Sequence, residues 1–411
     1  MISAFLHRIL AYALMFMCQL SGHACAYGAE TVTPPAQLNI KLPAGFKINV
    51  FSHLGEAVGQ PRMMAFDSQG RLYVALASTN KIVMLPDVDS DGLAEAPIVI
   101  ANNLNAPNSI AFIDDNTMLI GNQDGVVVTK QINAKWSMPK LFISNLSSGG
   151  HTLKTVKIGP DRFIYLNVGS SCNVCVEADP TRATILRYTI DGKPAGDLET
   201  AGRHAGNPIW AQGLRNSQGF AWHPKTQSMF ATNNGADMRS DKKGGKVNDE
   251  LPPEHFNKIE PGKHYGWPHC WADHNNLKKL AEDPNFPGAE NFCKSATPPA
   301  ITFTSHATPI GVTFLNQTNW PADYQTDAVV ALHGSWNRKT PSGYRLVRVK
   351  FIGEIPIETL DFATGWLNID ASGNSQAWGR PTDVIVGTDG ALYVSDDRAS
   401  IIYRISYKKA P

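Results

Sequence analysis

The sequence lacks an excess of charge of either sign and, beyond its first 26 residues, any long hydrophobic run. It contains 37 Lys and Arg against 36 Asp and Glu. The first 26 residues include Arg8 and no acidic residue, so the rest of the chain is balanced. This balance argues against nucleic acid or an anionic membrane surface as the main partner. Without a later apolar stretch long enough to cross a bilayer, we expect no integral membrane segment in the mature chain.

Cysteine is also scarce, and four of the six cysteines lie beyond residue 26: Cys172, Cys175, Cys270 and Cys293. An even number in an exported chain predicts two disulfides. Proximity along the chain favours pairing within the first two and within the last two, although four cysteines allow three connectivities. A four-cysteine zinc site stays open as an alternative. Covalent haem attachment would need a histidine at position 176, where Val176 stands, which excludes a haem of that kind.

The first 26 residues have the pattern of a signal peptide. Arg8 supplies the positive end, residues 9–20 form an apolar run too short to span a bilayer, and Ala24-Cys25-Ala26 is a small-residue cleavage site. A lipoprotein interpretation of Cys25 is disfavoured, because Gly22 and His23 stand where an apolar and a small residue are expected. We therefore predict a periplasmic or secreted protein, with a signal peptide over 1–26 and a single domain over 27–411.

The rest of the chain repeats one phrase six times: an apolar alternation, a turn with Asp, Gly, Asn or Pro, and a second apolar alternation. Several copies continue into a third strand, and no long amphipathic helix is evident. Six such units predict an all-β, six-bladed β-propeller with long inter-strand loop insertions. The copies begin at these residues: Met64, Ile110, Val156, Phe220, Val312 and Val384.

The insertions should lie in the second half of the chain, since only the first three copies are evenly spaced. The largest insertion should run from about Asn233 to Pro309 and fold over one face. Propellers usually bind ligands at one mouth of the central channel, so function should come from loops there.

The stretch Gly213 to Phe220 places arginine, asparagine, serine and glutamine between two glycines, just before an apolar strand. Several donors on a stiff loop suit a flat, polyanionic, carbonyl-rich ligand. The alternative is an ordinary hairpin whose polar residues are solvated.

Five motifs in order resemble a known family. They are Gly150-His151 before Ile158-Gly159-Pro160-Asp161, Gly213-Leu214-Arg215-Asn216-Ser217-Gln218-Gly219, Tyr265-Gly266-Trp267-Pro268, His333-Gly334-Ser335-Trp336-Asn337-Arg338 and Gly379-Arg380-Pro381-Thr382-Asp383-Val384. Together, over residues 40 to 408, the chain resembles the soluble pyrroloquinoline quinone (PQQ) dependent aldose dehydrogenases, and more closely their L-sorbosone-dehydrogenase-like relatives.

The resemblance implies roles for the first two motifs. His151 matches the histidine that removes the anomeric hydroxyl proton, and a loop histidine is expected to titrate near neutral pH. Arg215 matches the arginine that polarises the reactive quinone carbonyl. Asn216 matches a cofactor contact, and Gln218 is expected to hold the loop. The alternative for Arg215 is a loop arginine paired with a carboxylate.

Further cations should converge, because PQQ carries three carboxylates. Arg380 aligns with a family arginine. Thr382 departs from the aldose enzymes, which carry a second arginine at this position. Arg338 or neighbouring Lys339 is expected to replace a family lysine at the end of the fifth unit.

The resemblance also implies a calcium ion, which prefers oxygen ligands and can act as a Lewis acid. Gly235 and Ala236 would supply backbone oxygens, although the aldose enzymes have proline in place of Ala236. Asp249, Glu250 and Tyr265 match a region that supplies further ligands.

The segment Asp87-Val88-Asp89-Ser90-Asp91-Gly92 opens like an EF-hand loop, but Ile98 stands where the bidentate glutamate belongs. Two interpretations stay open: an acidic turn between blades, or a local structural calcium site to which Glu95 contributes.

The leading hypothesis is a quinoprotein that oxidises the anomeric or aldehyde carbon of a small-molecule sugar with PQQ and calcium, and passes electrons to a separate quinone or cytochrome. Two alternatives are a calcium-dependent lactonase-type hydrolase and a non-catalytic binding propeller.

Overall fold

Alternating apolar strands assemble into six sheets in the computed structural model, which describes residues 38–196, 206–273 and 275–408. The chain enters through β1 (Phe46–His53) and a short helix, α1 (Gly55–Val58). The first blade follows, with a 3-10 turn (Ala77–Thr79) before its third strand. Its strands are β2 (Pro61–Phe66), β3 (Leu72–Leu76), β4 (Lys81–Leu85) and β5 (Ile98–Ala101).

The next two blades have the same antiparallel order, from the innermost strand outward. Blade two contains β6 (Ser109–Asp114), β7 (Thr117–Asn122), β8 (Gly125–Ile132) and β10 (Lys140–Ile143), with β9 (Lys135–Trp136) paired to β8. Blade three contains β11 (Val156–Ile158), β12 (Ile164–Val168), β13 (Thr184–Tyr188) and β14 (Ile209–Gln212).

The fourth blade is interrupted by an extra hairpin, β18 (Cys270–Asp273) and β19 (Asn276–Glu282), and by a helix, α2 (Glu290–Ser295). Its own strands are β15 (Phe220–Trp222), β16 (Met229–Asn233), β17 (Glu254–Ile259) and β20 (Ile301–Phe303). The stretch from 233 to 309 is therefore not one insertion, because it contains two of the four blade strands. What is inserted is the loop 234–253 and the hairpin with its helix.

Blade five contains β21 (Pro309–Phe314), β22 (Ala328–Leu332), β23 (Arg345–Ile352) and β24 (Ile355–Thr364). A small hairpin, β25 (Leu367–Ile369) and β26 (Ser375–Ala377), leads to blade six, which contains β27 (Pro381–Val386), β28 (Leu392–Asp396) and β29 (Ile401–Tyr407). The outer strand of blade six is β1, which pairs antiparallel with β29. The N-terminal strand thus closes the ring onto the C-terminal blade. The predicted six-bladed propeller and all six predicted strand pairs are confirmed.

The core lies between blades, because both faces of the second strand of each blade are buried. In β3, Leu72, Val74 and Leu76 pack toward blade six, whereas Tyr73 and Ala75 pack toward blade two. This alternation follows from the two-residue period of a strand. Neighbouring blades share a hydrophobic cluster all the way round the ring. Both predicted disulfides, Cys172–Cys175 and Cys270–Cys293, are present.

Two further predictions concern the signal peptide and membrane-spanning segments. The predicted signal peptide lies outside the described residues, so it stays a prediction. Within the described residues, no helix is long and apolar enough to cross a membrane.

Candidate active site

The polar loop before β15 is buried. Arg215, Asn216, Ser217 and Gln218 are between 1% and 7% exposed. The interpretation as a solvated hairpin is therefore wrong. Gly213 opens the loop with a φ of +73°, and a Cβ there would lie 2.3 Å from the His264 ring. Only glycine permits this turn. Buried polar side chains need partners, and those of the loop come from several blades.

Arg215 is held by the loop of the first disulfide and by a carboxylate. Its Nε donates to the backbone oxygen of Asn173 (3.1 Å), and Nη2 donates to Asn173 Oδ1 (3.0 Å) and to Asp237 Oδ2 (2.7 Å). A longer contact of 3.5 Å joins Nη1 to the backbone oxygen of Asn234. The ion pair with a carboxylate, which was the alternative interpretation, thus exists, and one Nη1 hydrogen has no partner among the described residues.

His151 lies beside this arginine in a tight loop. Its Nδ1 is 3.2 Å from the backbone oxygen of Ser170 and 2.9 Å from Ser170 Oγ. Since a backbone oxygen can only accept, Nδ1 carries the proton and Nε2 is left as the basic nitrogen. A Cβ on Gly169 would lie 2.5 Å from the Cβ of His151 and 3.3 Å from Asn216 Oδ1, so glycine lets these two side chains approach.

Burial, reinforced by the positive charge of Arg215, lowers the pKa of His151 from 6.5 to about 3. The expectation that this histidine titrates near neutral pH is therefore wrong, because the sequence alone does not reveal its burial. Lys154 fixes the loop that carries His151, because its Nζ donates to the backbone oxygens of Ser147 (2.9 Å) and Thr152 (2.7 Å). At neutral pH His151 is therefore in the form that can accept a proton, and its lowered pKa makes it a weaker base than a histidine that titrates near pH 7.

A second network crosses the mouth and connects four blades. Arg62, at the start of β2, donates from Nη2 to Gln218 Oε1 (2.8 Å) and from Nη1 to Asp397 Oδ2 (2.7 Å). Asp397 Oδ1 is 2.9 Å from His333 Nε2, and Arg380 Nη2 donates to His333 Nδ1 (2.8 Å). Gln218 therefore joins its loop to the start of β2. Arg380 lies in the same network, although sequence analysis did not mention Arg62 or Asp397 and assigned no role to His333.

The tautomer of His333 follows from these contacts. Because Arg380 can only donate, Nδ1 accepts and Nε2 donates to Asp397. Burial, together with the charge of Arg380, lowers the pKa of His333 to about 4. Burial alone would raise the pKa of Asp397, but His333, Arg62 and Arg380 together hold it well below its usual range. The network therefore contains a neutral imidazole between an arginine and an ionised carboxylate.

The region around Arg338 differs from the prediction. Arg338 Nη2 pairs with Glu250, its Nη1 donates to the backbone oxygen of Ser305 (3.1 Å), and Asp249 Oδ2 accepts the backbone N–H of Lys339 (2.8 Å). Arg338, which was predicted to contact the cofactor, thus forms an ion pair with Glu250, which was predicted to bind the metal. Their contacts join two loops and do not extend to Gly235 or Ala236.

The backbone N–H of Gly235, next to the two expected calcium ligands, is held by a buried carboxyl. Glu254 Oε2 accepts the N–H of Gly235 (2.5 Å), and burial raises the pKa of Glu254 to about 7. Tyr265 lines a small cavity together with Gly235 and Ala236. Its hydroxyl, however, donates to the backbone oxygen of Lys258 (2.7 Å) and accepts the N–H of Glu260 (2.8 Å). Its side chain is therefore committed to the far end of β17.

Potential metal-binding clusters of three or more His, Cys, Asp or Glu occur at two places in the described residues. One contains Cys172 and Cys175, which form a disulfide and are not available to a metal. The other is Asp87, Asp89 and Asp91, where Asp87 Oδ2 accepts the N–H of Gly92 (3.2 Å). This bond within the turn fits the interpretation as an acidic turn, and it also leaves the interpretation as a calcium site open.

Fifteen buried side-chain polar atoms have no partner among the described residues, and some of them belong to the loops that carry the site. These are Asn122 Oδ1, Asn216 Oδ1, Asn234 Oδ1, Asn337 Oδ1, Arg380 Nε and Arg398 Nε. The two guanidinium N–H groups need acceptors, and Arg380 has no ion pair with a carboxylate in the described part of the chain. Thr382 uses its hydroxyl on the backbone oxygen of Arg380 (3.1 Å), so it supplies no second cation. The two guanidinium donors fit a ligand that carries carboxylates and carbonyls, whereas the four amide oxygens can only accept hydrogen bonds.

Comparison with known proteins identifies the family. A family model described as TrAA12-like matches residues 40–408. The chain belongs to this family. An uncharacterized protein of Borreliella burgdorferi is 26% identical to the TrAA12-like chain over 399 residues, which cover 93% of both. The PQQ-dependent pyranose dehydrogenase of Coprinopsis cinerea is 24% identical over 313 residues, which cover 66% of this chain and 42% of that protein. The match therefore spans less than half the length of that relative.

Solved structures share the fold of the TrAA12-like chain. The holo PQQ domain of pyranose dehydrogenase from C. cinerea superposes with a TM-score of 0.76 at 20% identity, covering 91% and 98% of the two chains. A calcium structure of a family AA12 enzyme from Trichoderma reesei gives 0.75 at 19%, covering 92% and 100%. The PQQ-bound aldose sugar dehydrogenase of Streptomyces coelicolor gives 0.61 at 17%, covering 90% and 100%. The predicted resemblance is confirmed, whereas the closer relation to sorbosone dehydrogenases stays a prediction.

Proposed function

We propose that this protein is a quinoprotein oxidoreductase that oxidises the anomeric or aldehyde carbon of a sugar, with PQQ as its cofactor. One observation carries the proposal: buried arginines and unpartnered polar atoms converge on one mouth of the propeller. PQQ-bound relatives with the same fold support it. When bound, PQQ supplies a quinone that accepts the two electrons and the hydrogen leaving the sugar carbon as hydride.

The chain's own residues have separate tasks in this reaction. His151 takes the hydroxyl proton of the sugar at Nε2, since Nδ1 is committed to Ser170. Arg215 offers its free Nη1 hydrogen to an oxygen on which negative charge develops. Arg62, Arg380 and Arg398 supply positive charge for the carboxylates of the cofactor, and Asn216 contributes an amide.

We further propose a calcium site at the backbone oxygens of Gly235 and Ala236. Glu254 fixes the orientation of the Gly235 N–H, and its buried carboxyl lies where an added positive charge would favour the ionised form. Asp249, Glu250 and Tyr265 remain proposed ligands, although their hydrogen bonds go to Lys339, Arg338 and Lys258. The ion would supply Lewis-acid chemistry beside the cofactor.

An exposed aromatic residue favours a carbohydrate substrate. Trp336 is 57% exposed, and its neighbour Asn337 donates to Asp237 Oδ1 (2.8 Å) at the site. An indole face is a suitable surface for the apolar face of a sugar ring. Because Arg338 is paired with Glu250, we propose that it shapes this loop and that Lys339 remains available to a ligand.

The two disulfides support an oxidising compartment, so we propose export to the periplasm or medium. Electrons would then leave the cofactor to a separate acceptor, a quinone or a cytochrome. The proposed mature protein is a single propeller from residue 27 to residue 411.

Reconstitution of the disulfide-intact protein with PQQ and calcium tests the proposal. Expected results are stoichiometric binding, seen in the quinone absorbance, and reduction of an artificial dye that depends on an added sugar. The panel should contain aldoses, oligosaccharides and sorbosone, and His151→Ala should bind PQQ but lose dye reduction. Absence of PQQ binding at micromolar cofactor would remove the proposal, and lactone hydrolysis by the calcium-loaded protein would be tested next.

A further inference from the structure

A ring of four residues closed by a disulfide touches the proposed site. Cys172 and Cys175 are bonded, and Asn173 lies between them. Its backbone oxygen accepts Arg215 Nε (3.1 Å) and Trp267 Nε1 (3.2 Å), while its Oδ1 accepts Arg215 Nη2 (3.0 Å) and the N–H of Asp237 (2.7 Å). Its Nδ2 donates to the backbone oxygen of Asp237 (2.9 Å). One residue thus binds both members of the Arg215–Asp237 ion pair.

These contacts decide which edge of Arg215 can meet a ligand. A guanidinium has five N–H groups in a rigid plane. Asn173 takes the Nε hydrogen and one on Nη2, and Asp237 takes the other Nη2 hydrogen. Only the Nη1 edge remains, with one long contact to the backbone oxygen of Asn234. If Asn173 moved, the guanidinium would lose two of its three short hydrogen bonds and its fixed orientation.

The same ring reaches the proposed base. The backbone oxygen of Cys172 accepts Ser170 Oγ (2.7 Å), and Ser170 in turn contacts His151 Nδ1. Asn173 itself is exposed, so packing does not hold its side chain. Covalent closure of the ring supplies the missing constraint, since it limits the conformations that the four residues can adopt.

We propose that Asn173, presented by the Cys172–Cys175 ring, is a positioning residue that holds Arg215 with its Nη1 edge toward the cofactor. This inference rests on the proposed function. It assigns a role in the site to a disulfide whose pattern in the sequence indicates only structure.

A double-mutant cycle on PQQ binding tests the inference, with affinity read from quenching of tryptophan fluorescence in calcium-containing buffer. Asn173→Ala should weaken PQQ binding about tenfold to a hundredfold, because it removes the charge-assisted bond from Arg215 Nη2 and both side-chain bonds to the backbone of Asp237. In an Arg215→Ala background the same substitution should change affinity less than about threefold, since a positioning residue acts through its partner. Asn116→Ala, on the exposed turn between β6 and β7, is the matched control and should bind as the wild type does.

Ring opening supplies a second route to the same result. The Cys172→Ser, Cys175→Ser variant should lose affinity in the same range, with a far-UV circular dichroism spectrum unchanged from the wild type. If Asn173→Ala does not fold, Asn173→Ser and the ring-open variant carry the test.

The outcomes separate the two proposals. Wild type without PQQ binding would overturn the proposed function and this inference with it. This inference alone would be overturned if the wild type binds PQQ and Asn173→Ala binds it with the same affinity. The same holds if the affinity losses of Asn173→Ala and Arg215→Ala multiply fully in the double mutant.

Discussion

Arg62 and Arg380 stand at the two ends of a hydrogen-bonded chain through Asp397 and His333. Within the described residues, Asp397 is the one carboxylate in this network, so the network carries a net positive charge. A buried cation without its own carboxylate is costly unless a ligand compensates it. The arrangement is therefore suited to an anionic ligand, and the affinity for that ligand should depend strongly on each arginine.

For His151 we predict activity that is insensitive to acid over a wide range. With a pKa of about 3, the residue stays neutral from pH 8 down to pH 5. At saturating calcium, kcat/KM should therefore show no limb from this group between pH 5 and pH 8. A histidine of ordinary pKa would lose about thirtyfold over this range. His151→Gln should reduce kcat by about 10²-fold to 10⁴-fold. A limb near pH 6.5 at saturating calcium would contradict the lowered pKa.

For Arg380 we predict a loss of cofactor affinity. Arg380→Ala removes the bond to His333 Nδ1 and the unpartnered Nε donor, so PQQ should bind about tenfold to a hundredfold more weakly. Arg380→Lys should recover part of the loss, because it keeps the charge without the planar fork. Titration of the apoprotein measures both. Arg162→Ala, exposed in the turn before β12, is the control. Equal affinity of Arg380→Ala and wild type would remove Arg380 from the site.

At the scale of elements, the ring depends on the pairing of β1 with β29. Phe46 in β1 is buried and packs on Trp320, Phe362 and Tyr407, with ring centroids 4.7 to 5.2 Å apart. Closure thus depends on one aromatic side chain as well as on strand hydrogen bonds. The neighbouring Lys47 points to the other face and is exposed.

We predict that Phe46→Ala lowers the free energy of unfolding by about 3 to 5 kcal/mol, through lost burial and the cavity left behind. Lys47→Ala in the same strand should change it by less than about 0.5 kcal/mol. Urea denaturation of the disulfide-intact protein measures both. A Phe46→Ala effect below about 1 kcal/mol would mean that β1 contributes little to closure.

At the scale of the whole molecule, buried neutral histidines make stability depend on pH. His333 has a folded pKa of about 4 against 6.5 when unfolded. As pH falls below 6.5, the unfolded chain takes up the proton first, so stability is lost between about pH 6.5 and pH 4. His151 acts in the same direction.

We predict that His333→Gln flattens this pH dependence in the apoprotein. The wild type should lose up to about 2 kcal/mol more than the variant between pH 7 and pH 5. Urea unfolding at the two pH values measures the difference. His53→Gln, in an exposed position on β1, should keep the wild-type slope. If His333→Gln also keeps that slope, His333 does not carry the predicted shift.

The disulfides and the polar loop show how much of the site local sequence could predict. The pairing of the cysteines by proximity was confirmed. Cysteines that are three residues apart, or joined by one short insertion, can come together through local structure alone. Arg215, Asn216 and Gln218 could also be singled out from the sequence, since their donor groups lie close together in one turn. Asn173 was missed, because its partners Arg215 and Asp237 lie 42 and 64 residues away.

Six repeats of paired apolar strands determined the propeller by themselves, because strand alternation and turn residues are local properties of the chain. Only the tertiary structure decided the network from Gln218 through Arg62 and Asp397 to Arg380. Arg62 and Asp397 are 335 positions apart and meet because β1 closes the ring. It also decided that His151 is neutral and that Arg338 faces Glu250. Both outcomes depend on burial and on the distances between charges, which a linear pattern does not contain.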